Sequence, residues 1–239
     1  MKKELRLNKF IWINGKEISY NDILTKDLKD FIVADEFEVS TIQVIKSWLN
    51  GQKLFELHSS GSTGNPSKIT VTRDQLEASA KMTLEFLKLK EGINSILCLN
   101  TRYTAGIMLL IRSLIGNFNL YALTPATNIL KKLPQGLVVD LISVVPSQLY
   151  EIFDQKNYFT KFNNQSIILV GGATLPTELE KKSHDFPGRL YHTFGMAETL
   201  SHIALRKING DDKSEYYETV GSVSVRADEN GCLIIYAPH

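Results

Sequence analysis

From Leu54 onward the chain alternates short strand-like runs with segments of helical periodicity, and this alternation limits the possible folds most sharply. Leu54-Phe-Glu-Leu-His58 reads as one strand and Ile69-Thr-Val71 as a second. Residues 95–99, 120–123, 137–145 and 167–170 read as further strands, the first of them of a fully buried type. Thr72 is placed to cap a long helix, with Gln75 at the position that completes a capping box. Further helical segments cover 105–114, Pro146 to Phe153 and Pro176 to Lys182, and Pro146 suits a first helical turn. Strands alternating with helices predict a layered α/β fold, a mainly parallel sheet with flanking helices. The strand order stays open. After about residue 189 short strands predominate and end in Cys232 to Tyr236, a short β-rich C-terminal part.

An N-terminal hairpin precedes this unit. Phe10-Ile-Trp-Ile13 and Glu17-Ile-Ser-Tyr20 flank Asn14-Gly15, a dipeptide that accepts the positive φ angles of a tight turn. Two amphipathic helices follow. The second is expected to start at Ser40, to place Ile42, Ile45, Trp48 and Leu49 on one face, and to stop at Gly51. With no internal repeat, low-complexity tract or Pro/Ser-rich linker, residues 1–239 read as one compact α/β domain.

Composition narrows the functional classes. Lys and Arg number 27 against 26 Asp and Glu, a net charge of +1, so nucleic-acid binding driven by bulk charge is not expected. The start lacks an apolar signal core, and the longest apolar stretch, residues 105–116, is broken by Arg112 and is too short for a membrane span. Cys98 and Cys232 are too few for a disulfide scaffold and read as thiols of a reducing compartment. A cytoplasmic globular protein is expected.

Two segments carry chemistry. Ser59-Ser60-Gly61-Ser62-Thr63-Gly64-Asn65-Pro66-Ser67-Lys68 gathers hydroxyls, glycines and a lysine directly after a strand. Glycines let backbone N–H groups approach an anion, hydroxyls donate further hydrogen bonds, and Lys supplies charge, which is how a polyphosphate is held. The segment is not the Gly-x-x-x-x-Gly-Lys loop, because Gly61 and Gly64 are too close; nor is it a Gly-x-Ser-x-Gly elbow, because Ser60 stands two places before Ser62. A plain surface loop has the same composition, and this segment alone leaves both readings open. The second segment, Tyr191-His192-Thr193-Phe194-Gly195-Met196-Ala197-Glu198-Thr199, places a carboxylate three residues after a glycine bend. One acidic residue near bound phosphates suffices to hold Mg²⁺, although a solvent-exposed Glu is the commoner fate of any single Glu.

Together these segments resemble the adenylate-forming acyl-CoA synthetase family. Ser59 to Lys68 is similar to its phosphate-binding signature, Phe194-Gly-Met-Ala-Glu198 to its Tyr-Gly-x-Thr-Glu motif, and Val170-Gly-Gly-Ala173 to its adenine-contacting strand end. Order and spacing match over nearly the whole chain, the opening hairpin included. Within the family the likeness is to members that activate o-succinylbenzoate. It rests on Tyr103-Thr-Ala-Gly106, Val145-Pro-Ser-Gln-Leu149, Glu198-Thr-Leu-Ser-His-Ile-Ala-Leu205 and the short connection from Gly221 to Gly231.

The resemblance implies an AMP-forming acid–CoA ligase that takes a small carboxylic acid, ATP and CoA, with Mg²⁺ as cofactor. It assigns the phosphates to Ser59, Ser60, Gly61, Ser62, Thr63, Gly64 and Lys68, and the metal to Glu198. Thr63, Lys68 and Glu198 carry the catalytic charge stabilisation. Gly172, Ala173, Thr193, Phe194 and Gly195 frame the adenine and the acyl phosphate. Tyr103, Gly106, Ser201 and His202 line the acid pocket; the candidate partners for a second carboxylate are His202, Ser201 and Arg102, in that order, with a solvated surface side chain as the default reading of Arg102. A different aryl or fatty acid, or a nucleotide-binding module without complete catalysis, are the alternatives.

Several positions depart from the family pattern. Ser67 stands where Lys is usual and Lys68 follows one place later; Ala197 replaces a Thr, and Tyr103 a His. The phosphate loop begins at residue 59, so most of the family's first subdomain is expected to be missing. The ribose-binding Asp, the hinge and the C-terminal domain with its catalytic Lys are expected beyond His239. His58 is a structural hydrogen-bonder or a phosphate contact. No Cys/His spacing indicates zinc, and Lys131-Lys132 and Lys181-Lys182 read as solvated helix faces.

Overall fold

The computed structural model describes residues 9–31, 35–58 and 68–238. The expected hairpin forms from β1 (Phe10–Ile13) and β2 (Lys16–Ser19), with Asn14 at φ 48° and Gly15 at φ 84° in the turn. Helix α1 (Tyr20–Thr25) is a single short piece, and α2 spans Glu36–Leu49. The second helix therefore starts earlier than Ser40. Asp35 is its cap, accepting a hydrogen bond from the Glu38 N–H, while Ser40 lies inside the helix and bonds Thr101 Oγ1 at 2.8 Å.

β3 (Leu54–His58) and β4 (Lys68–Thr72) pair antiparallel as a separate ribbon, not as members of a parallel sheet. Only nine residues connect them, too few for the crossover that parallel pairing requires. α3 (Arg73–Phe86) follows with the Thr72/Gln75 capping box as expected, an interaction of about 1 kcal/mol.

β5 (Asn94–Leu97), α4 (Thr104–Gly116), β6 (Asn119–Ala122), β7 (Leu141–Val144), α5 (Pro146–Asp154), β8 (Ile167–Val170) and α6 (Thr177–Lys182) complete the alternating part. β9 (Arg189–Met196), β10 (Ser201–Lys207) and β11 (Glu218–Thr219) close one edge; β12 (Ser224–Ala227) and β13 (Leu233–Tyr236) form a separate antiparallel pair. Among the described residues the main sheet has nine strands in the order β11-β10-β9-β8-β7-β5-β6-β1-β2. Pairing is parallel from β1 through β6, β5, β7 and β8 to β9, and antiparallel at both edges. The hairpin is thus an edge of the main sheet, held by Ile11↔Leu120 and Ile13↔Ala122 and by Trp12 stacked on Tyr121 at 4.9 Å.

Each central strand divides its side chains between two cores. Leu97, Leu141, Ile167 and Leu169 join the layer that holds α2, α3 and α4, whereas Ile96, Ile142, Val144, Ile168 and Val170 join the layer under α5 and α6. Burial on both faces is why these strands are apolar at almost every position. Cys98 lies in the second core and Cys232 on the surface, both as free thiols. Among the described residues no helix is long and apolar enough to cross a membrane.

Candidate functional site

The parallel strands end together, and the crevice beyond their carboxyl ends is where α/β sheets place ligands. A cavity of about 180 Å³ lies there. Leu99 after β5, Ser143 to Val145 at the end of β7, and Gly171 and Gly172 after β8 form one wall. Thr193 and Gly195 to Ala197 from β9, with Ser201 and His202 opening β10, form the second. α4 contributes Tyr103, Thr104, Ala105 and Arg112, and His58 comes from the ribbon.

His58 is fixed there by a parallel bridge to Tyr103, its N–H donating to the Arg102 carbonyl at 3.1 Å. The bridge ties the ribbon to the sheet where the chain enters Ser59. Ser59, Ser60, Gly61, Ser62, Thr63 and Gly64 lie outside the described residues. Lys68, where the chain returns, pairs in register with His58 and donates to Glu56 at 3.2 Å on the exposed strand.

Gly195 is required by close approach. It stands opposite His202 in the β9–β10 register, and a Cβ there would lie 2.1 Å from the Ser201 carbonyl oxygen. The connecting turn carries Glu198, exposed and without a hydrogen-bond or ion-pair partner among the described residues. Leu200 and Ser201 close this turn at φ 52° and 113°, conformations that cost about 1–3 kcal/mol each in residues with side chains.

The structure distributes the remaining candidates unevenly. Tyr103, Gly172, Thr193, Gly195, Ser201 and His202 line the cavity. Gly106 is buried behind its wall against the Asn100 carbonyl. Phe194 faces away and packs on Tyr217 at 5.8 Å between ring centroids. The Ala173 carbonyl accepts from His192 Nε2 at 3.3 Å, and His192 Nδ1 in turn accepts from the Tyr217 hydroxyl at 2.6 Å. Desolvation lowers the His192 pKa, although the Ala173 contact opposes the shift, and the ring stays neutral. Arg102 is not at the cavity: its guanidinium pairs with Glu36 at 3.1 Å on the surface.

The residue that pattern reading missed is Arg112. In the sequence it only interrupts an apolar run; in the fold it is 2% exposed and reaches the cavity. Its terminal nitrogen donates to Ser201 Oγ at 2.9 Å, and its Nε is buried without a partner among the described residues. Thr104 Oγ1, also on the cavity wall, is likewise buried and without a partner among the described residues. Burial pulls the Arg112 pKa down to about 9, which still leaves a cation at neutral pH. His202, bonded through Nε2 to Thr83 Oγ1 at 2.9 Å, is held well below its ordinary pKa by burial and then by Arg112. The site is therefore one buried cation, one neutral imidazole, and two strand ends with open backbone groups. It suits an anionic ligand.

Known proteins share this fold. A crystal structure of an acyl-CoA synthetase (AMP-forming)/AMP-acid ligase II-like protein from Dyadobacter fermentans superposes with a TM-score of 0.78, at 34% identity, over 87% of this chain and 59% of that one. O-succinylbenzoate coenzyme A synthetase from Bacillus subtilis, solved with ATP and magnesium ion, shares the fold with a TM-score of 0.59, at 20% identity, over 75% of this chain and 38% of that one. Two curated relatives are named 2-succinylbenzoate–CoA ligase. That of Lactococcus lactis is 24% identical over 83% of this chain and 42% of its own length; that of Listeria monocytogenes is 26% identical over 95% and 52%. The chain thus spans about half the length of the curated relatives it matches. The AMP-binding enzyme family matches residues 33–228, and the chain belongs to that family.

Proposed function

We propose that this protein serves an AMP-forming acid–CoA ligase. In that reaction a carboxylate oxygen attacks the α-phosphorus of ATP and pyrophosphate leaves. The CoA thiol then attacks the acyl carbonyl, loses its proton, and AMP departs. The observation that supports the reading is that one cavity is lined by two of the motif segments, Gly171-Gly172 and Thr193 with Gly195 to Ala197, and by His58, the residue that precedes the hydroxyl-rich segment in sequence. Ser59 to Gly64 and Lys68 would take the phosphates. Gly172, Ala173, Thr193, Phe194 and Gly195 would frame the nucleotide, and Tyr103, Ser201 and His202 the acid, with Gly106 letting α4 approach the strand end.

Glu198 fits a magnesium site. Its side chain is exposed and has no hydrogen-bond or ion-pair partner among the described residues, and Mg²⁺ on a nucleotide needs only one or two protein carboxylates beside waters and phosphate oxygens. When bound, the ion supplies positive charge to the phosphate oxygens. The names of the curated relatives support o-succinylbenzoate as the acid, and a cytoplasmic setting supplies both ATP and CoA. Calorimetric titration with Mg²⁺–ATP tests the reading. Thr63→Ala combined with Lys68→Ala should weaken binding by roughly 1.5–3 kcal/mol for each charge-assisted hydrogen bond lost. Unchanged affinity in that double variant would leave the loop without a role.

A further inference from the structure

Strand β9 presents two faces. Thr193 and Gly195 line the cavity, and the pleat turns His192 and Phe194 to the opposite face. There both meet Tyr217, which lies between β10 and β11 in a segment that no motif marks. The Tyr217 ring packs on His192 and on Phe194, each at 5.8 Å between centroids, and its hydroxyl meets His192 Nδ1 at 2.6 Å. Arg206 stands opposite His192 in the β9–β10 register, pairs with Glu180 of α6, and lies 5.7 Å from the centre of the Tyr217 ring. These contacts fix where the protons sit. The Ala173 carbonyl can only accept, so the His192 Nε2 that meets it at 3.3 Å carries the hydrogen. Desolvation keeps the ring neutral, which leaves Nδ1 bare and makes the Tyr217 hydroxyl the donor. Arg206 has donors alone and does not compete for that hydroxyl proton.

We propose that Tyr217 is a positioning residue for the nucleotide: its hydroxyl fixes His192 in the Nε2–H tautomer, and through that ring it holds the Ala173 carbonyl at the end of β8. The inference rests on the ligase reading, in which Ala173 and Phe194 frame the nucleotide, and deepens it by naming what holds that frame. The other neutral tautomer would set a bare Nε2 against the Ala173 carbonyl, two acceptors face to face, and would release the strand end. Restraint matters there because Ala173 follows two glycines, the second at φ 82°, and glycine backbone is the most costly to order. A segment already held by His192 leaves less ordering for a ligand to bring about. The ring of Tyr217 braces Phe194 in the same way, so one side chain supports both sides of the frame.

The test is nitrogen NMR of the full chain labelled in its histidine rings, joined to calorimetry with Mg²⁺–ATP. At about pH 7.5, above the ordinary histidine pKa, the unaltered protein should show His192 with Nε2 protonated and Nδ1 bare. The resonance is identified by its loss in His192→Gln. Tyr217→Phe keeps the ring and deletes the hydroxyl; the share of the Nδ1–H tautomer should rise, and Mg²⁺–ATP should bind about twofold to tenfold more weakly. In the His192→Gln background the same Tyr217→Phe change should cost no further affinity. Protonation of Nδ1 in the unaltered protein overturns the inference, and that measurement needs neither a ligand nor a variant that folds. A tautomer ratio unmoved by Tyr217→Phe, or an affinity unmoved by it, overturns the inference and leaves the nucleotide site standing. Failure of the unaltered protein to bind Mg²⁺–ATP overturns the ligase reading itself, together with the role that rests on it.

Discussion

Arg112 donates to Ser201 Oγ at 2.9 Å, a bond that joins the buried flank of α4 to the first residue of β10. Ser201 accepts it from a strained backbone, at φ 113°, directly after Leu200 at φ 52°. The contact is therefore the partial satisfaction of a buried charge and also an anchor for the turn that carries Glu198. These two roles make opposite demands on stability.

In the ligand-free protein the charge dominates. Replacing a buried, under-paired ion with an apolar side chain of similar volume is often neutral or stabilising by about 1–4 kcal/mol. Arg112→Met should therefore unfold at equal or higher urea concentration than the unaltered protein. Ser201→Ala should destabilise by about 1–3 kcal/mol, because it strips the guanidinium of its acceptor. In the Arg112→Met background the same Ser201→Ala change should cost little. Additive losses across this double-mutant cycle would mean that the two side chains are not energetically coupled.

What could be read from the residue order was local. The Thr72/Gln75 box, Pro146 and the Asn14-Gly15 turn each depend on neighbours within four positions, and the structure shows all three. The start of α2 was misplaced because Ser40 and Asp35 are both good caps, and what selects Asp35 is continuation of the buried face through Phe37. Strand order depends on contacts remote in sequence, so the hairpin's docking on β6 was not legible. The site divides in the same way. Gly172, Thr193, Gly195, Ser201 and His202 were singled out by their motifs, and all five line one cavity. Arg112 stayed out of the candidate set because an arginine inside an apolar run looks like an interruption of it. Its burial depends on how α4 packs against Ser201 of β10, a contact remote in sequence that no local pattern records.

Gly195 tests the geometry of the turn. A methyl group there would meet the Ser201 carbonyl oxygen at 2.1 Å and His202 Cα at 2.5 Å, both of them backbone or nearly so, with no flexible end to yield. Gly195→Ala should cost about 1–3 kcal/mol in stability and weaken ligand binding by displacing Ser201 and His202. Retention of full stability and affinity would show that β9 and β10 can separate there at no cost.

Glu198 tests the metal assignment. Glu198→Gln keeps the shape of an exposed side chain that has no hydrogen bond or ion pair among the described residues, so the fold should be unaffected. The Mg²⁺-dependent increment in ATP affinity should fall, while affinity for ATP measured with a chelator present should not change. If Mg²⁺ strengthens ATP binding equally in both proteins, the carboxylate is not its ligand.

His202 should make the fold acid-sensitive. Its folded-state pKa lies well below the ordinary value of 6.5, first because the ring is buried and then because Arg112 disfavours a second positive charge. The unfolded chain therefore takes up a proton near that ordinary value while the folded protein does not. Stability must fall as pH drops through it, with a slope of up to about 1.4 kcal/mol per pH unit. His192, also shifted downward by desolvation, acts in the same direction but is only half buried. Between about pH 7.5 and 5.5 the unaltered protein should lose about 1.4 kcal/mol more than His202→Gln, whose amide can still meet Thr83 Oγ1 but cannot titrate. Arg112→Met removes the repelling charge and should shrink the loss as well. Urea denaturation at the two pH values measures all three proteins. Equal losses in the unaltered protein and His202→Gln would mean that the ring accepts its proton in the folded state, and that the cavity admits the compensating solvent or anion which the buried Arg112–His202 pair excludes.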